Sequence, residues 1–346
     1  MEKPASSRAA RIENSPWLRA ETRHRGNRRA YGHDYKAPGV YMITMTAERS
    51  RPAFSIIAEN SDRSPLLSLT PLGELITWEL TRLSEFHPQF EARASVVMPD
   101  HIHFILYVRE RLSRELGQEL AGFKGACSAH YHTLCPAAPE NPLFSENFND
   151  RIVKDTPQYI ACAAYIADNP RRLLVRRRHP DLFRRYNRLK IGQREYAAYG
   201  NIFLLRNFQR LAVMVHRADT AADKAIRRRE WLECAANGGV LVSPFISKEE
   251  KAVRDAALSL GGSIITVRHN GFPDRFKPAA AEFALCEEGR LLIIAPLSES
   301  TGARGGSRVK DNGYEELTRA VSLRLNAIAA EIAAITPDDP VTLRGQ

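Results

Sequence analysis

Apolar residues alternate with polar ones in some stretches and recur every three or four positions in others, and these two periods divide the chain into strands and helices. The run YMITMTA from Tyr41 has the pattern of a strand. LGELITWELTRLSEF carries apolar residues at helical spacing, and the Thr70-Pro71 pair ahead of it is a helix start. FEARASVVM (90–98) and HIHFILYV (101–108) read as two strands separated only by Pro99 and Asp100, the junction of a hairpin. A helix is expected over about 112–132, a Pro- and Asn-rich loop near 136–149, and a further strand at FNDRIVK. Thr156 can cap the next helix, with Pro157 in its first turn, where a missing N–H is harmless. Pro170 disfavours helical backbone in the residue before it, so this helix is expected to end near Asn169.

The order strand, helix, strand, strand, helix, strand predicts an α+β domain over 36–190, with an antiparallel sheet and helices on one face. Residues 195–346 read differently. IFLLR (202–206), VLVSPF (240–245), SIITVR and RLLIIAPL are short apolar runs, and helical segments at 220–236, 247–260 and about 279–287 stand between them. That alternation predicts an α/β, Rossmann-like domain with a parallel sheet covered on both sides. Ser247 with Glu250 has the form of a capping box, and EELTRAVSLRLNAIAAEIAAI is an amphipathic final helix. Residues 1–35 show no hydrophobic period and read as a flexible basic arm.

A composition of 44% hydrophobic and 26% charged residues over 346 positions excludes disorder and collagen and suits two globular domains. No run of 18 or more uncharged apolar residues is present, so neither a membrane span nor a secretory leader is expected, and a cytoplasmic protein is. Cys127, Cys135, Cys162, Cys234 and Cys286 are odd in number and show no CxxC spacing; they read as buried small side chains rather than a disulfide frame or zinc ribbon. Net charge is +10, and residues 1–200 carry most of it, with 30 Lys+Arg against 22 Asp+Glu. RRLLVRRRHPDLFRRYNRLK (171–190) holds nine basic side chains and one acid, a density that suits a polyanion such as a nucleic-acid backbone, with a solvated basic helix or linker as the alternative.

Two His-x-His pairs occur where about 0.3 is expected by chance. His101 and His103 lie in a predicted strand, so both imidazoles project from one side of the sheet, as two ligands of one metal ion would. His130 and His132 lie in a predicted helix and diverge, which leaves them no metal role. Tyr165 and Asn169 are four apart on a helix, so a phenol and an amide share one face a turn apart. A core tyrosine followed by an Asn that caps the next helix would give the same spacing.

MPDHIHFILYV followed some sixty residues later by YIADNP resembles the HUH-type single-tyrosine transposases, especially the REP-associated class. YMITMTAER, FKGACSAHY and FNDRIVKDTPQY are similar to that family's intervening pieces, so the resemblance spans about residues 31–185. It implies a metal-dependent endonuclease and strand transferase acting on single-stranded DNA that carries hairpins. Tyr165 would be the nucleophile, forming a 5′-phosphotyrosine, and His101, His103 and Asn169 the ligands of Mg²⁺ or Mn²⁺. Lys154 and Arg171 are the candidates for the cationic help a phenol needs to expose its oxyanion. Arg171, Arg172, Arg176, Arg177, Arg178, Arg184 and Arg185 would follow phosphates, and the basic arm a groove or hairpin stem. Asp100 departs from the family, where Asn is commoner beside the His pair.

GGVLVSPFISKEEKAVRDAALSLGGSIITV with CEEGRLLIIAP is similar to the Rossmannoid family of DNA-processing protein A and the lysine-decarboxylase-like nucleotide hydrolases. A nucleotide phosphate would then meet the strand-to-helix turn at Ser243, Pro244, Phe245 and Ser247, with the cationic GARGGSR nearby. Neither segment is a Walker or GxGxxG fingerprint, and a DNA-holding module with an empty crevice reads equally well. Monomer and homodimer are both compatible with the resemblance.

Overall fold

The computed structural model describes residues 30, 32–48, 53–135, 142–216, 218–273, 276–297, 317–336 and 341–343. Most of the basic arm and the GARGGSR segment lie outside them. The chain divides into two compact units, one built from residues up to Ile57 and from Leu67–Ala167, the other from Ala58–Leu66 and from Asp168 onward.

In the first unit, β1 (Gly39–Thr46) sits centrally in an antiparallel sheet with β4 (Phe90–Met98), β5 (His101–Val108) and β6 (Asn149–Val153), in the order β4-β5-β1-β6. A ribbon of β2 (Ser55–Glu59) and β3 (Pro65–Leu69) intervenes in sequence and was not foreseen. Its turn, with Asn60 and Ser64 bonded across it, is polar throughout and carries no strong hairpin dipeptide. Thr70 caps α1 (Pro71–Thr81) by accepting from the Gly73 N–H, with Pro71 in the first turn as the sequence predicts. A short α2 (Leu83–Phe86) follows, and α3 (Leu116–Leu134) comes after the hairpin. Tyr41, Ile43 and Met45 of β1 and Ile102, Phe104 and Leu106 of β5 face one side of the sheet. There they form a core with Leu72, Ile76 and Leu80 of α1 and Leu116, Leu120 and Phe123 of α3.

The fourth helix, α4 (Thr156–Arg178), does not join them. Tyr165 packs on His103 and Tyr159 on Tyr107, both on the opposite face of β5. Helices therefore cover both faces, where the sequence predicts one. The reason is that α4 carries a buried stripe at Cys162 and Ile166 that needs a surface to lie on.

Two further differences concern α4. Asp155, rather than Thr156, receives its first turn, accepting from the Gln158 N–H at 2.8 Å through Oδ1 while its carbonyl accepts from Tyr159. The helix also runs straight through Pro170 to Arg178 instead of stopping at Asn169. Pro170 removes one backbone donor, but Leu174 and Val175 beyond it are buried, and that packing outweighs the local preference.

In the second unit, β7 (Arg185–Ile191) and β8 (Arg194–Gly200) form a hairpin, and a 3₁₀ turn spans Ile202–Arg206. There follow β9 (Arg210–Ala212), α5 (Ala221–Ala236), β10 (Val240–Ser243), α6 (Lys248–Ser259), β11 (Ser263–Val267), α7 (Ala280–Glu287), β12 (Leu291–Pro296), α8 (Arg319–Ala334) and β13 (Val341–Leu343). The sheet order is β13-β7-β8-β12-β11-β10-β9. Strands β9 to β12 are mutually parallel, but β8 pairs antiparallel with β12, and β7 and β13 continue antiparallel. The sheet is thus mixed rather than parallel. Residues 185–191, which the sequence groups with the first domain, belong to it, and IFLLR is a 3₁₀ turn rather than a strand.

Three crossovers of the same hand, joining parallel strands in unbroken order, bring their helices to one face. Trp231 and Ala235 of α5, Val253 and Ala257 of α6, and Phe283 and Cys286 of α7 accordingly share a core with Leu241, Ile264 and Ile293. Val321, Leu325, Ile328 and Ile332 of α8 cover the other side against Val240, Val242, Ile265 and Leu292, so the sheet is covered on both sides as predicted. Of the cysteines, Cys127, Cys162 and Cys286 are buried, Cys234 is half-buried and Cys135 is exposed; burial pushes the Cys286 thiol up to about 12.

Candidate active site

The site grows from the β4-β5 hairpin. Its two-residue turn is pinned through its carbonyls: Ala47 N–H donates to Asp100 O at 2.9 Å and Phe54 N–H to Pro99 O at 3.0 Å. From this fixed end, β5 projects His101 and His103 to the face opposite the core, and both are almost fully buried. Register sets Thr44 of β1 beside His103, with Thr44 Oγ1 2.7 Å from His103 Nδ1. His101 Nδ1 lies 2.5 Å from Asp100 Oδ1. A carboxylate only accepts, so Nδ1 of His101 carries the hydrogen, and in the neutral ring this leaves the lone pair on Nε2. The two Nε2 atoms are 3.1 Å apart.

Such an arrangement would suit two imidazoles as ligands of one ion: outer nitrogens against oxygen, inner nitrogens turned to one point. The separation also fits. Two nitrogens at about 2.1 Å from one ion and at right angles to each other stand about 3.0 Å apart. Among the described residues no group of three or more His, Cys, Asp or Glu is placed to hold a metal ion. An ion held there would need further ligands of another kind, such as an amide, phosphate oxygens or water.

Tyr165 stands beside this pair, its ring centroid 5.6 Å from that of His103 in an edge-on contact, and the residue is half-buried. The structure thus brings His101, His103 and Tyr165 together in the first unit. Asn169 lies four residues on along α4, in the part that belongs to the second unit, and is buried. Lys154 is exposed just before α4.

No protein-family model matches this chain. An uncharacterized protein of Haemophilus influenzae is similar to it, at 22% identity over an alignment of 170 residues, with coverage of 42% of this chain and 88% of that protein. A solved structure of a REP-associated tyrosine transposase bound to a REP hairpin is also similar, with 19% identity, a TM-score of 0.31, and coverage of 42% of this chain and 74% of that one. No helix among the described residues is long and apolar enough to cross a membrane.

Several of the arginines expected to follow phosphates are engaged with other protein groups. Arg171 is clamped by Asp168 and Glu287 at 2.6 Å each, and these carboxylates hold its guanidinium above the usual arginine range. Arg172 is 3% exposed, donates to Pro278 O at 3.0 Å and stacks 3.9 Å from the Phe283 ring. Arg178 pairs with Glu59 at 2.6 Å, and Arg185 donates to the carbonyls of Phe272 and Pro273. Arg184 lies over Tyr186, while Arg176 and Arg177 are half-buried. Charge density in a sequence counts cations without showing which of them are already paired.

The turn expected to receive a nucleotide phosphate is likewise committed. Phe245 N–H donates to Ser243 Oγ at 3.0 Å, and Ile246 and Ser247 N–H both donate to the buried Glu250 carboxylate, at 2.8 and 3.0 Å. Ser247 Oγ in turn accepts from Glu250 N–H, completing the predicted capping box, and Pro244 has no N–H to offer. Nor does the strand order reverse among β9 to β12, and such a reversal is what opens the usual ligand crevice of a doubly wound sheet.

Thr44 was not singled out from the sequence. Its signal was present in the alternation of YMITMT, which turns Tyr41, Ile43 and Met45 one way and Thr44 the other. The register that sets it beside His103 joins residues 59 apart and has no local signature. His130 Nδ1 lies 2.6 Å from Oε1 of the buried Glu79.

Proposed function

We propose that the first unit is a divalent-metal-dependent endonuclease and strand transferase of hairpin-bearing single-stranded DNA, with Tyr165 as nucleophile. The observation that carries this reading is the meeting of an oriented His101/His103 pair with the Tyr165 ring on one face of the sheet. The resemblance of MPDHIHFILYV and YIADNP to HUH transposases supports it independently.

On this reading His101 and His103 hold the ion through Nε2, and the family resemblance makes Asn169 the third ligand. When bound, Mg²⁺ or Mn²⁺ supplies Lewis-acid neutralisation of charge on the phosphate oxygens. Asp100 and Thr44 keep both imidazoles in the ligating orientation. Helix α4 presents the Tyr165 oxygen to the scissile phosphorus; the bond from phosphorus to the 3′ oxygen breaks as the tyrosyl ester forms, and the phenolic proton ends on the departing 3′-hydroxyl. An incoming 3′-hydroxyl reverses the same exchange, so bond energy is conserved and no nucleoside triphosphate is needed. Unpaired DNA is the substrate this requires, because a tyrosine on a rigid helix reaches a backbone phosphate only in a splayed strand.

The test is incubation with hairpin-bearing single strands and Mn²⁺, followed by denaturing electrophoresis. The expected result is a covalent protein–DNA band with the wild type and none with Tyr165→Phe. A Tyr165→Phe protein that still forms the band overturns the assignment.

A further inference from the structure

The face of the sheet that carries the His pair continues along β5 to a second group of side chains. Tyr107 is four residues beyond His103, on the same side and about 14 Å further on at strand spacing. Its ring meets that of Tyr159 from α4 at 6.0 Å, and the Arg93 guanidinium lies 5.0 Å from the Tyr107 ring centroid. Tyr159 is six residues before Tyr165, about 9 Å along the helix. One face of the first unit's sheet therefore carries Tyr165 and the imidazoles at one end and, at the other, Tyr107 with Tyr159 edge-on to it and the Arg93 guanidinium over its ring.

Three features set this stack apart from ordinary packing. Register slips between Arg93 and Val96, and Ala94 sits there at φ +43, in the left-handed region that a residue with a Cβ adopts only at some cost. A bulge of this kind re-aims neighbouring side chains, and here Arg93 is the one laid over the aromatic ring. Second, the stack is open: the Arg93 side chain is 50% exposed, and Tyr107 and Tyr159 are half-buried. Third, basic side chains outnumber the acids nearby, Glu91 and Asp155. Arg93 and Arg109 share the one carboxylate of Glu91, and Arg151 and Lys154 are exposed nearby in sequence on β6 and at the start of α4.

We infer that Arg93, Tyr107 and Tyr159 form a stacking subsite for an unpaired base of the DNA strand that flanks the scissile phosphate. Planar π faces and a layered guanidinium accept any unpaired base, and a paired base keeps its faces inside the duplex. The inference deepens the nuclease reading and rests on it for the direction of the strand, but the binding it describes needs no cleavage.

The experiment is fluorescence anisotropy of a labelled, non-self-complementary single strand with the full chain, in chelator so that no metal-dependent step intervenes. Arg93→Ala and Tyr159→Ala are expected to weaken binding roughly tenfold each, while Tyr159→Phe, which keeps the ring, stays within about twofold of wild type. A 2-aminopurine base in the strand is expected to be quenched by the wild type and by Tyr159→Phe, and less by the alanine variants. Alanine variants that bind and quench like the wild type overturn the subsite, as does a wild type that does not bind single strands. The two readings separate cleanly. Tyr165-dependent adducts with stack-independent affinity leave the nuclease and remove the subsite, whereas stack-dependent affinity without adducts does the reverse.

Discussion

The Nε2 atoms of His101 and His103 lie 3.1 Å apart, and each ring is held from behind, His101 by Asp100 and His103 by Thr44. Two imidazoles so placed share one hydrogen between them or share an ion, and the outer partners orient them equally for either. A titration of Mn²⁺ by calorimetry distinguishes the cases. One site per chain is expected, abolished in His103→Ala and weakened about 10- to 100-fold in Thr44→Val, the usual cost of losing an outer partner. Unaltered Mn²⁺ binding in His103→Ala would remove the pair from the metal's ligands.

Arg172 belongs to the stability of the second unit. It is buried, bonded to Pro278 O and layered on Phe283, so Arg172→Leu is expected to lower stability by about 2–4 kcal/mol, seen as a shift in denaturant midpoint. Its effect on single-strand affinity is expected to be small. A variant of normal stability that has lost DNA binding would return Arg172 to the phosphate-contacting role its sequence context suggests.

These arginines show where the sequence is legible and where it is not. Elements with a local signature were readable: the Pro99-Asp100 junction, the Thr70-Pro71 start and the Ser247 capping box all stand in the structure. So was the placement of His101 and His103 on one face, because period two is a local property. What depends on distant partners was not. Nothing near Arg172 announces Phe283, nothing near His103 announces Thr44, and the Pro170 signal was overridden by burial of Leu174 and Val175. The β7-β8 hairpin did carry a clue, the Gly192 turn with φ +58, but it was masked by the basic run that precedes it.

Gly73 and Gly125 predict opposite outcomes for the same substitution. A Cβ on Gly73 would stand 1.9 Å from the Phe54 carbonyl oxygen, so Gly73→Ala must displace α1 from the chain it abuts, at a cost of about 3 kcal/mol. A Cβ on Gly125, within α3, meets nothing within 4 Å, and Gly125→Ala is expected to add about 0.5–1 kcal/mol through helix propensity. Thermal melts of both variants check the pair, and equal shifts would contradict the packing of α1 against Phe54.

Ser247 has the role of a helix cap. Ser247→Ala is expected to lose about 1 kcal/mol and Ser247→Asp to keep most of it, because aspartate caps as well as serine. Denaturation curves in nucleotide-free buffer read this directly. An alanine variant as stable as the wild type would show that the 247–250 hydrogen bonds do not hold the start of α6.

The central claim is that Tyr165 attacks DNA beside an ion held by the His pair. Its most direct measurement is mass spectrometry of proteolytic fragments after incubation with a hairpin-bearing single strand, once with Mn²⁺ and once with chelator. The expected result is a nucleotide adduct on the peptide containing Tyr165, present with Mn²⁺, absent with chelator and absent in His103→Ala. An adduct on another residue, or one on Tyr165 that forms equally well in chelator, would contradict the account.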